Sequence, residues 1–454
     1  MKNMTLEHIA ECCNGTYFGD ENKKQMEVTG IAIDSRKVKT GGLFIPIRGE
    51  RVDGHSFIPA VMEAGALACL SEEKIAEPKG PYILVESTPE AMKKIAAFYR
   101  QSLDIKVVGI TGSVGKTSTK EMIASVLKEK YRVHKTAGNF NNEIGLPLTI
   151  FDITEEHEVA VLEMGISDFG EMHRLAAIAN PDICVITNIG LCHLENLKSR
   201  DGILKAKTEV FDHMKGNGIA VLNGDDDKLS TVLSVNGNAP VFYGKEKGNA
   251  YASDIVSLGM EGMRMTLHLE NETAQVTIPI PGEHNVYNAL AAACVGKALD
   301  MTMEEICRGI ERVETISGRS NLISVKGITI VDDCYNANPV SMRASIDVLS
   351  QASGRKIAVL GDMGELGEKE KELHYEVGSY VAEKEIDVLY CAGTLCKEMA
   401  QAAKRNTNCK VHYFIGREEM TEALLSTVKE GDTVLVKASH FMDFPKVVEA
   451  LKLI

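Results

Sequence analysis

Short runs of consecutive apolar residues alternate with longer segments of helical periodicity through the middle of the chain. Between residues 102 and 316 the apolar runs are KVVGITG, VAVLEMG, ICVITNIG and GIAVLNGDD. Uninterrupted apolar runs of this length are typical of parallel strands that are buried on both faces. The alternation therefore predicts a doubly wound α/β domain built from βαβ units.

Two later regions extend this pattern. MTLHLENETAQVTIPIPG alternates apolar and polar residues, which predicts an antiparallel addition to the sheet, and NVYNALAAACVGKAL then predicts a helix. A second alternating set of strands and helices occupies residues 317–454, with apolar runs in GITIVDD, RKIAVLGDM, VLYCAG, KVHYFI and DTVLVKAS. This set predicts a smaller, Rossmann-like domain.

Residues 1–101 contain shorter elements. GIAIDSRKVKTGGLFIPIRGERVDGHSF has two apolar runs separated by glycine turns, and FIPAVMEAGALACL predicts a helix leading into a strand. The 454 residues are also too many for one ordinary core. We therefore expect three α/β domains, with limits at 1–101, 102–316 and 317–454.

Composition narrows the class of protein. The 50 basic and 64 acidic residues give a net charge of −14, which argues against binding to nucleic acid or to an anionic membrane. No stretch approaches the ~18 uncharged apolar residues of a membrane span, and the N-terminal segment does not have the pattern of a signal peptide. The eleven cysteines include no C-x-x-C pair, which favours reduced thiols in a cytosolic protein.

The segment VVGITGSVGKTSTKEMI, residues 107–123, has the parts of a phosphate-binding loop between a strand and a helix. The usual pattern has a glycine where this chain has Ile110, so the loop is a shortened form. Backbone amides ahead of a helix bind phosphate, a lysine reaches the β- and γ-phosphates, and a hydroxyl reaches Mg²⁺. The residues that would bind a nucleotide here are Gly112, Ser113, Gly115, Lys116, Thr117 and Ser118.

Other side chains suited to chemistry lie near the ends of the next predicted strands, where ligands of open α/β sheets collect. Glu163 ends VAVLEMG and is a natural Mg²⁺ ligand, although a solvated carboxylate explains it too. His193 follows the next strand and has either a structural or a ligating role. Lys205 and Lys207 would repel Mg²⁺ unless CO₂ converted an amine to a carbamate. The residues alone favour solvated helix lysines.

The order of several longer motifs resembles that of the Mur ligase family over essentially the whole chain. The motifs are TGSVGKTSTKEM, GNFNNEIGLPLT, LEMGISDFGEM, NIGLCHLENL, PGEHNVYNALAA, SGRSN, DDCYNANPVSM and LGDMGELG. The N-terminal segment DSRKVKTGGLFIPIRGERVDGHSF is similar to that of the members that add D-alanyl-D-alanine. The signature DNPR of the members that add meso-diaminopimelate is absent.

The resemblance implies a cytoplasmic, monomeric ligase with a UDP-sugar-binding N-terminal domain, a central ATPase domain and a C-terminal domain that closes over the site. Its substrates would be ATP, UDP-N-acetylmuramoyl-tripeptide and D-alanyl-D-alanine, with Mg²⁺ as the metal and no nucleic-acid or membrane partner. The tripeptide carboxylate would attack the γ-phosphate of ATP, and the dipeptide amine would then displace phosphate from the acyl phosphate. Closure would need a hinge near residues 317–320.

The resemblance also implies roles for individual residues. The catalytic residues would be Lys116, His193, Lys207 and Asn139, and the metal ligands Thr117, Glu163, His193 and a carbamylated Lys207. The nucleotide would also contact Asn285, Asn288, Arg319, Asp333, Tyr335 and Asn338. The UDP-sugar peptide would contact Ser35, Arg36, Arg48, Asn141 and Asn142. Several of these contacts have an alternative. The asparagines in HNVYN would then pack and cap a helix, those in YNANP would form an Asn-Pro turn, and the arginines would be solvated surface residues.

One motif departs from the family pattern. The family usually has Lys-Gly-Ser-Arg near the C-terminus, whereas this chain has KASHFM, with Ala438 and His440 at the glycine and arginine positions. A histidine is shorter and only partly charged near pH 7, so it need not replace the contacts of that arginine.

Two other functions fit parts of the sequence. A ligase of the folylpolyglutamate type would lack the UDP-sugar domain that FIPIRGERVDGH indicates. A regulatory or structural protein that binds ATP without forming a bond would not need Glu163, His193 and Lys207 together.

Overall fold

The computed structural model of the protein describes residues 1–245, 248–405 and 408–454. Within these ranges the chain forms three β-sheets of five, nine and six strands, which follow one another along the sequence. The predicted architecture of three α/β units is thereby confirmed. None of the described helices combines the length and the apolar character that crossing a membrane requires.

The N-terminal unit consists of short strands and three α-helices. Its strands are β1 Thr16–Phe18, β2 Ile31–Ala32, β3 Leu43–Phe44, β4 Ala68–Ser71 and β5 Tyr82–Leu84. Its helices are α1 Leu6–Cys12, α2 Ile58–Glu63 and α3 Thr88–Ser102. The strand order is β1-β5-β4-β3-β2, and all neighbours are parallel except β1 and β5.

The central unit contains the largest sheet. Its strands are β6 Lys106–Thr111, β7 Val133–Lys135, β8 Val159–Glu163, β9 Ile183–Ile186, β10 Ile219–Asn223, β11 Val241–Gly244, β12 Ala250–Ser257, β13 Met263–Leu269 and β14 Glu272–Ile278. Its helices are α4 Lys116–Leu127, α5 Gly145–Phe151, α6 Glu171–Ala179, α7 Leu194–Leu197, α8 Arg200–Thr208, α9 His284–Ala298 and α10 Met303–Glu311.

The order of this sheet is β14-β13-β12-β11-β10-β9-β6-β8-β7. Neighbours from β7 to β12 are parallel, and β13 and β14 are antiparallel, as the alternating pattern predicts. The chain leaves β6 to one side for β7 and β8 and returns to the other side for β9. The carboxyl end of β6 is therefore a topological switch point, where open α/β sheets bind ligands.

The C-terminal unit is a smaller, mostly parallel sheet. Its strands are β15 Asn321–Val325, β16 Ile328–Asp332, β17 Lys356–Gly361, β18 Val388–Ala392, β19 Lys410–Phe414 and β20 Thr433–Lys437. Its helices are α11 Pro339–Ser350, α12 Glu370–Glu383, α13 Cys396–Ala403, α14 Arg417–Leu425 and α15 Pro445–Lys452. The order is β15-β16-β20-β17-β18-β19, with β15 antiparallel to β16.

Sequence patterning misses β15, which lies at an edge of its sheet and is only partly buried. A two-residue turn of Lys326 and Gly327 joins it to β16, with φ of 45° and 78°. Positive φ at both turn residues is the hairpin geometry that matches the strand twist. The Lys-Gly pair between two short apolar runs was the signal that could have revealed this strand.

The first two units share one hydrophobic core. Side chains of α3 such as Ile95 and Tyr99 pack in the same cluster as Leu146 and Ile150 of α5. Arg100, at the end of α3, is also buried, and its Nε donates to a carbonyl oxygen of the central unit at 3.1 Å. The C-terminal sheet has separate cores on its two faces. The cleft between the central and C-terminal units is therefore the natural place for relative motion.

Candidate active site

The phosphate loop follows β6 at the switch point of the central sheet. Gly112 and Gly115 have φ of 149° and 83°, which residues with a side chain rarely adopt. A Cβ on Gly112 would lie 1.9 Å from the Thr187 hydroxyl oxygen, so a larger residue does not fit. Gly115 is the N-cap of α4, so the loop ends at a helix N-terminus, where anions bind.

The end of the neighbouring strand β9 holds this loop in place. The amides of Ser113 and Val114 donate to the backbone and side-chain oxygens of Asn188, each at 3.0 Å. The Thr187 hydroxyl donates to the Val114 carbonyl oxygen at 2.6 Å, and the Gly190 amide donates to the Ser113 hydroxyl at 2.9 Å. Neither Thr187 nor Asn188 is among the predicted site residues, although their position at the end of a predicted strand was a usable signal.

Two lysines one turn apart lie on the same face of α4. Lys116 donates from Nζ to the Gly112 carbonyl oxygen at 3.0 Å and lines the cleft in front of the loop. Lys120 is buried; its Nζ donates to the Thr136 carbonyl oxygen at 2.7 Å and lies 3.8 Å from Glu163 Oε2. Lys116 needs to release one hydrogen bond to reach a phosphate, whereas Lys120 supports the floor of the site.

Glu163 ends β8 and is buried beside the loop. Its Oε1 accepts a hydrogen bond from Asn141 Nδ2 at 2.8 Å. Its Oε2 has no hydrogen-bond partner among the described residues, and the same is true of the buried hydroxyl of Thr111 at the end of β6. A buried polar oxygen without a partner is costly, so these two atoms point to a ligand that the site is built to receive.

Lys207, in α8, is only 1% exposed, so the interpretation of this residue as a solvated helix lysine is wrong. Lys205, two residues earlier, is exposed, as expected for a surface lysine. Burial lowers the pKa of Lys207 to about 8, and the charge of Lys116 acts in the same direction. About a tenth of such amines are neutral at pH 7, against under about one in a thousand for an ordinary lysine.

A contact across the cleft joins His193 to Glu365, in the loop after β17, with Nδ1 and Oε2 2.8 Å apart. Both residues have a left-handed backbone, with φ of 50° and 60°, which is uncommon outside glycine. The hydrogen bond from His193 lowers the pKa of Glu365. The central and C-terminal units are therefore linked at a residue predicted to bind metal, a contact that the motif LGDMGELG alone does not reveal.

The loop that carries Glu365 is fixed by hydrogen bonds from the two residues just before it. The Met363 amide donates to His374 Nε2 at 2.9 Å, and the Gly364 amide donates to the Ser439 hydroxyl at 2.8 Å. These hydrogen bonds hold the loop in the position from which Glu365 contacts His193 of the central unit.

We expect Glu365→Ala to weaken the association of the C-terminal unit with the central unit. The pair with His193 is partly exposed, so its loss costs up to about 1 kcal/mol, which lowers the equilibrium constant for association of the two units up to about fivefold. Single-molecule energy transfer between dyes on the two units measures the populations of the associated and separated forms. The matched control is Glu368→Ala, an exposed glutamate of the same loop region. Equal dye distances in both variants and the parent would contradict the prediction.

A cleft of about 540 Å³ lies between the phosphate loop and the C-terminal unit. Its lining includes Gly115, Ser118, Asn188, Asn288, Arg319, Asp333 and Lys437. Asn288 accepts a hydrogen bond from the Thr119 hydroxyl at 2.8 Å and donates to Asn285 Oδ1 at 2.9 Å. Asn285 in turn donates to the Pro281 carbonyl oxygen. Asn288 thus faces the cleft, and Asn285 supports it from behind.

Asp333 is the most strongly held side chain of this cleft. Lys437 Nζ lies 2.6 Å from its Oδ2, and the Ser320 amide donates to its Oδ1 at 3.1 Å. Burial raises the pKa of Asp333, but the charge and hydrogen bond of Lys437 and the hydrogen bond of Ser345 outweigh this, so the pKa is lower than usual. The structure therefore places a fixed negative charge beside the cleft.

Arg319 lies where two clefts meet. Its guanidinium is 4.1 Å from the ring centroid of Tyr335, which follows β16. Arg319 lines the cleft of about 540 Å³ and also the cleft that contains Lys116, Glu163 and His193. The His440 ring lies 5.8 Å from that of Tyr335, so this exposed residue stands near the same site.

A large cleft of about 1110 Å³ lies between the N-terminal and central units. Its lining includes residues 29–34 and 37–39 on one side and Asn139, Phe140 and Asn142 on the other. In the part of the chain that the structure describes, this lining does not include Ser35, Arg36 or Arg48. Arg36 pairs with Asp34 at 2.8 Å, and Arg48 pairs with Glu72 and Glu73 at 3.1 and 2.7 Å.

The three clefts adjoin one another. The middle cleft contains Lys116, Asn141, Glu163 and His193, and shares Asn142 with the large cleft and Arg319 with the cleft beside Asp333. A group that enters from the large cleft can therefore meet a nucleotide phosphate in front of Lys116.

Three of the residues picked out from the sequence have evident packing roles. Asn142 Oδ1 accepts hydrogen bonds from the Ile144 and Gly145 amides at the start of α5. Asn338 caps α11, with Oδ1 accepting from the Ser341 amide at 2.9 Å. Ala438 is buried against Gly361, where a Cβ would lie 2.6 Å from the alanine methyl. The alanine in KASHFM therefore fits because a glycine faces it.

The donor atoms of the middle cleft suit a hard divalent cation. Mg²⁺ prefers oxygen ligands, and Glu163, whose Oε2 has no hydrogen-bond partner among the described residues, lines the middle cleft with Lys116. Thr117, buried in the first turn of α4, supplies a hydroxyl. Within the described residues, no group of three or more His, Cys, Asp or Glu could hold a metal. A bound Mg²⁺ would therefore need further oxygens, such as those of phosphates or a lysine carbamate.

Three Mur ligase domain families match consecutive parts of the chain. The Mur ligase family catalytic domain matches residues 27–100, the Mur ligase middle domain residues 110–296, and the Mur ligase glutamate ligase domain residues 318–440. Together with the phosphate loop at the switch point and the three connected clefts, these matches identify the chain. It belongs to the Mur ligase family.

Within the family, the chain is similar to ligases of one kind. UDP-N-acetylmuramoyl-tripeptide–D-alanyl-D-alanine ligase of Bacillus subtilis (strain 168) is 39% identical over 98% of each chain. The crystal structure of MurF from Acinetobacter baumannii has a TM-score of 0.91 at 31% identity and covers 99% of both chains. MurF ligase from Thermotoga maritima in complex with ADP has a TM-score of 0.83 at 33% identity, covering 93% of this chain and 97% of that one.

Proposed function

We propose that the protein is an ATP-dependent ligase that joins D-alanyl-D-alanine to UDP-N-acetylmuramoyl-tripeptide. The observation that carries this proposal is the full-length likeness to a ligase of that name, at 39% identity. The ADP complex of the similar Thermotoga enzyme supports ATP as the second substrate. The product would be the UDP-N-acetylmuramoyl-pentapeptide of cell-wall synthesis, together with ADP and phosphate.

The reaction proceeds in two steps. A carboxylate oxygen of the tripeptide attacks the γ-phosphorus of ATP, the bond to the β–γ bridging oxygen breaks, and ADP leaves. The amine of D-alanyl-D-alanine then attacks the acyl carbon and loses a proton, and phosphate leaves with the electrons of the C–O bond. Because carboxylate and triphosphate repel each other, Lys116, Arg319 and the loop amides lower the barrier by offsetting negative charge.

The three clefts support a position for each substrate. The UDP-sugar peptide occupies the large cleft, and its terminal carboxylate passes Asn139 and Asn142 into the middle cleft. ATP lies with its phosphates at the loop, its base end toward Asn288 and its ribose toward Asp333. Ser35 and Arg36 adjoin the lining residues Asp34 and Lys37, whereas Arg48 would first have to leave its partners Glu72 and Glu73.

Mg²⁺ would be held by Thr117, Glu163 and, following the family pattern, His193 and a carbamylated Lys207. When bound it would offset the charge of the phosphates and of the attacking carboxylate. Asn141 orients Glu163 by donating to its Oε1, which leaves Oε2 for the ion.

We expect Lys207 to react with CO₂, because burial keeps a fraction of its amine neutral near pH 7. The amine nitrogen attacks the CO₂ carbon and loses a proton, and the side chain changes from a cation to an anion. A carbamate signal should appear in the ¹³C NMR spectrum with ¹³C-bicarbonate and should grow as the pH rises through about 8. Lys207→Met should lack the signal, and the exposed Lys205→Met should retain it. Equal signals in both variants would contradict the assignment.

We also propose domain limits at 1–101, 102–316 and 317–454, with hinge motion at residues 317–320. A monomer in the cytoplasm is the corresponding proposal for assembly and location, in keeping with a net charge of −14. X-ray scattering with and without nucleotide and both substrates tests the state of assembly and the compaction together.

The decisive test of function is phosphate release from ATP and Mg²⁺ with UDP-N-acetylmuramoyl-tripeptide, with and without D-alanyl-D-alanine. Release that needs both substrates, with a product heavier by one dipeptide unit, is the expected result. Release that needs neither substrate would instead support a protein that hydrolyses ATP without ligation. No release with both would remove the substrate assignment.

A further inference from the structure

A second cluster of chemically capable side chains lies outside the three clefts, on the surface of the central unit. His173 is in α6, and Asp212 and His213 lie just beyond the 3-10 turn that follows α8. His173 Nδ1 is 2.7 Å from Asp212 Oδ2, and the two Nε2 atoms of His173 and His213 are 3.3 Å apart. The ring centroids are 4.5 Å apart at an interplanar angle of 63°.

We propose that His173 and His213 form a binding site for a divalent transition-metal ion, with Zn²⁺ as its first candidate. Two imidazole nitrogens that share a tetrahedral zinc at about 2.0–2.1 Å lie about 3.3–3.4 Å from each other. The distance between the Nε2 atoms matches this separation. The two rings already approach each other through the nitrogens that would ligate.

Asp212 supplies the supporting contact that metal-bound histidines usually have. Its carboxylate accepts a hydrogen bond from His173 Nδ1–H, which fixes the tautomer and leaves Nε2 with its lone pair. His213 must carry its proton on Nδ1 to ligate through Nε2. Imidazole ligands favour Zn²⁺, Ni²⁺ and Cu²⁺ over Mg²⁺, so this site is chemically distinct from the oxygen-lined middle cleft.

An ion bound to His173 and His213 would link α6 to the turn that follows α8. Glu171 and Leu175 of α6 line the middle cleft, and the turn before Asp212 follows the helix that carries Lys207. Glu209 of that turn already accepts a hydrogen bond from the Gly170 amide at 3.0 Å, next to the start of α6. An ion on the two histidines would clamp the same two segments together, and water would complete its coordination.

The test is calorimetric titration of the full-length protein with Zn²⁺, with excess Mg²⁺ and ADP present to occupy the nucleotide site. We expect His173→Asn and His213→Asn each to lose one bound Zn²⁺ per chain relative to the parent. Asp212→Asn should retain the site but weaken it about 10–100-fold. His268→Asn, in the distant strand β13, is the matched control and should bind as the parent does. Thermal melts confirm that each variant is folded.

Cu²⁺ gives a second readout that does not depend on affinity. Its electron paramagnetic resonance spectrum should show two nitrogen ligands in the parent and one in either histidine variant. Equal Zn²⁺ binding by all variants, or a loss that His268→Asn shares, overturns the proposal. The pair would then be an ordinary N–H···N hydrogen bond between neighbouring rings.

Discussion

Replacing Lys116 by alanine lowers the turnover number by at least about 10²–10³-fold and leaves the protein folded. The side chain belongs to a loop whose backbone is already set by Thr187 and Asn188, so its removal leaves the cradle intact. The substitution removes the ammonium group of Lys116, whose Nζ donates to the Gly112 carbonyl oxygen and can move from there to a phosphate. Because negative charge concentrates at the γ-phosphate during transfer, the loss falls on the transition state more than on binding.

The measurement is steady-state turnover by phosphate release, together with nucleotide affinity by calorimetry. Lys128→Ala is the matched control, since this lysine is exposed at the far end of the same helix. Lys116→Arg keeps the charge with a different shape and should recover only part of the activity. Near-normal turnover of Lys116→Ala would refute the role of the loop in phosphoryl transfer.

The phosphate loop could be predicted because its parts are contiguous in the sequence. A strand, Gly112, Gly115, Lys116 and a helix lie within residues 107–123, and local geometry requires each residue type at its place. The parallel sheets could be predicted for a similar reason, because strands buried on both faces must be uniformly apolar. Glu163 could be picked out because ligands of open α/β sheets bind where the parallel strands end, and Glu163 is the last residue of β8.

The contacts that complete the site could not be predicted, because they join residues far apart in the sequence. His193 meets Glu365 only because two units fold against each other, and no local pattern marks that meeting. The burial of Lys207 is different, because this residue follows Ile203 by four positions and precedes Val210 by three, and both are buried. That helical spacing places Lys207 on the apolar face of its helix and was a signal that could have been used.

Lys437→Met is the prediction with the largest effect on stability. Lys437 is 1% exposed and Asp333 is 7% exposed, and their side chains meet at 2.6 Å. Methionine fills a similar volume but leaves the carboxylate buried without its cation. Breaking a buried ion pair in this way costs about 3–5 kcal/mol. Changing both partners, as in Asp333→Asn with Lys437→Met, should cost less than the single change, because no charge is then left uncompensated.

Hydrogen exchange of the β16 and β20 amides measures this cost, since a chain of three units need not unfold in one step. Lys446→Met is the matched control, because this lysine is 68% exposed and its pair with Asp443 is on the surface.

The stability that Asp333 contributes to the C-terminal unit should depend on pH in a definite direction. Asp333 has a lowered pKa in the folded protein, so its stabilising effect is complete above its unfolded pKa of about 3.9 and is lost as the pH falls further. Without Lys437, burial should raise the folded pKa of Asp333 above its unfolded value, so protonation relieves the buried charge and the difference in protection between Lys437→Met and the parent should shrink as the pH falls. Equal protection of the β16 and β20 amides in Lys437→Met and Lys446→Met would show that the buried pair does not hold the C-terminal sheet together.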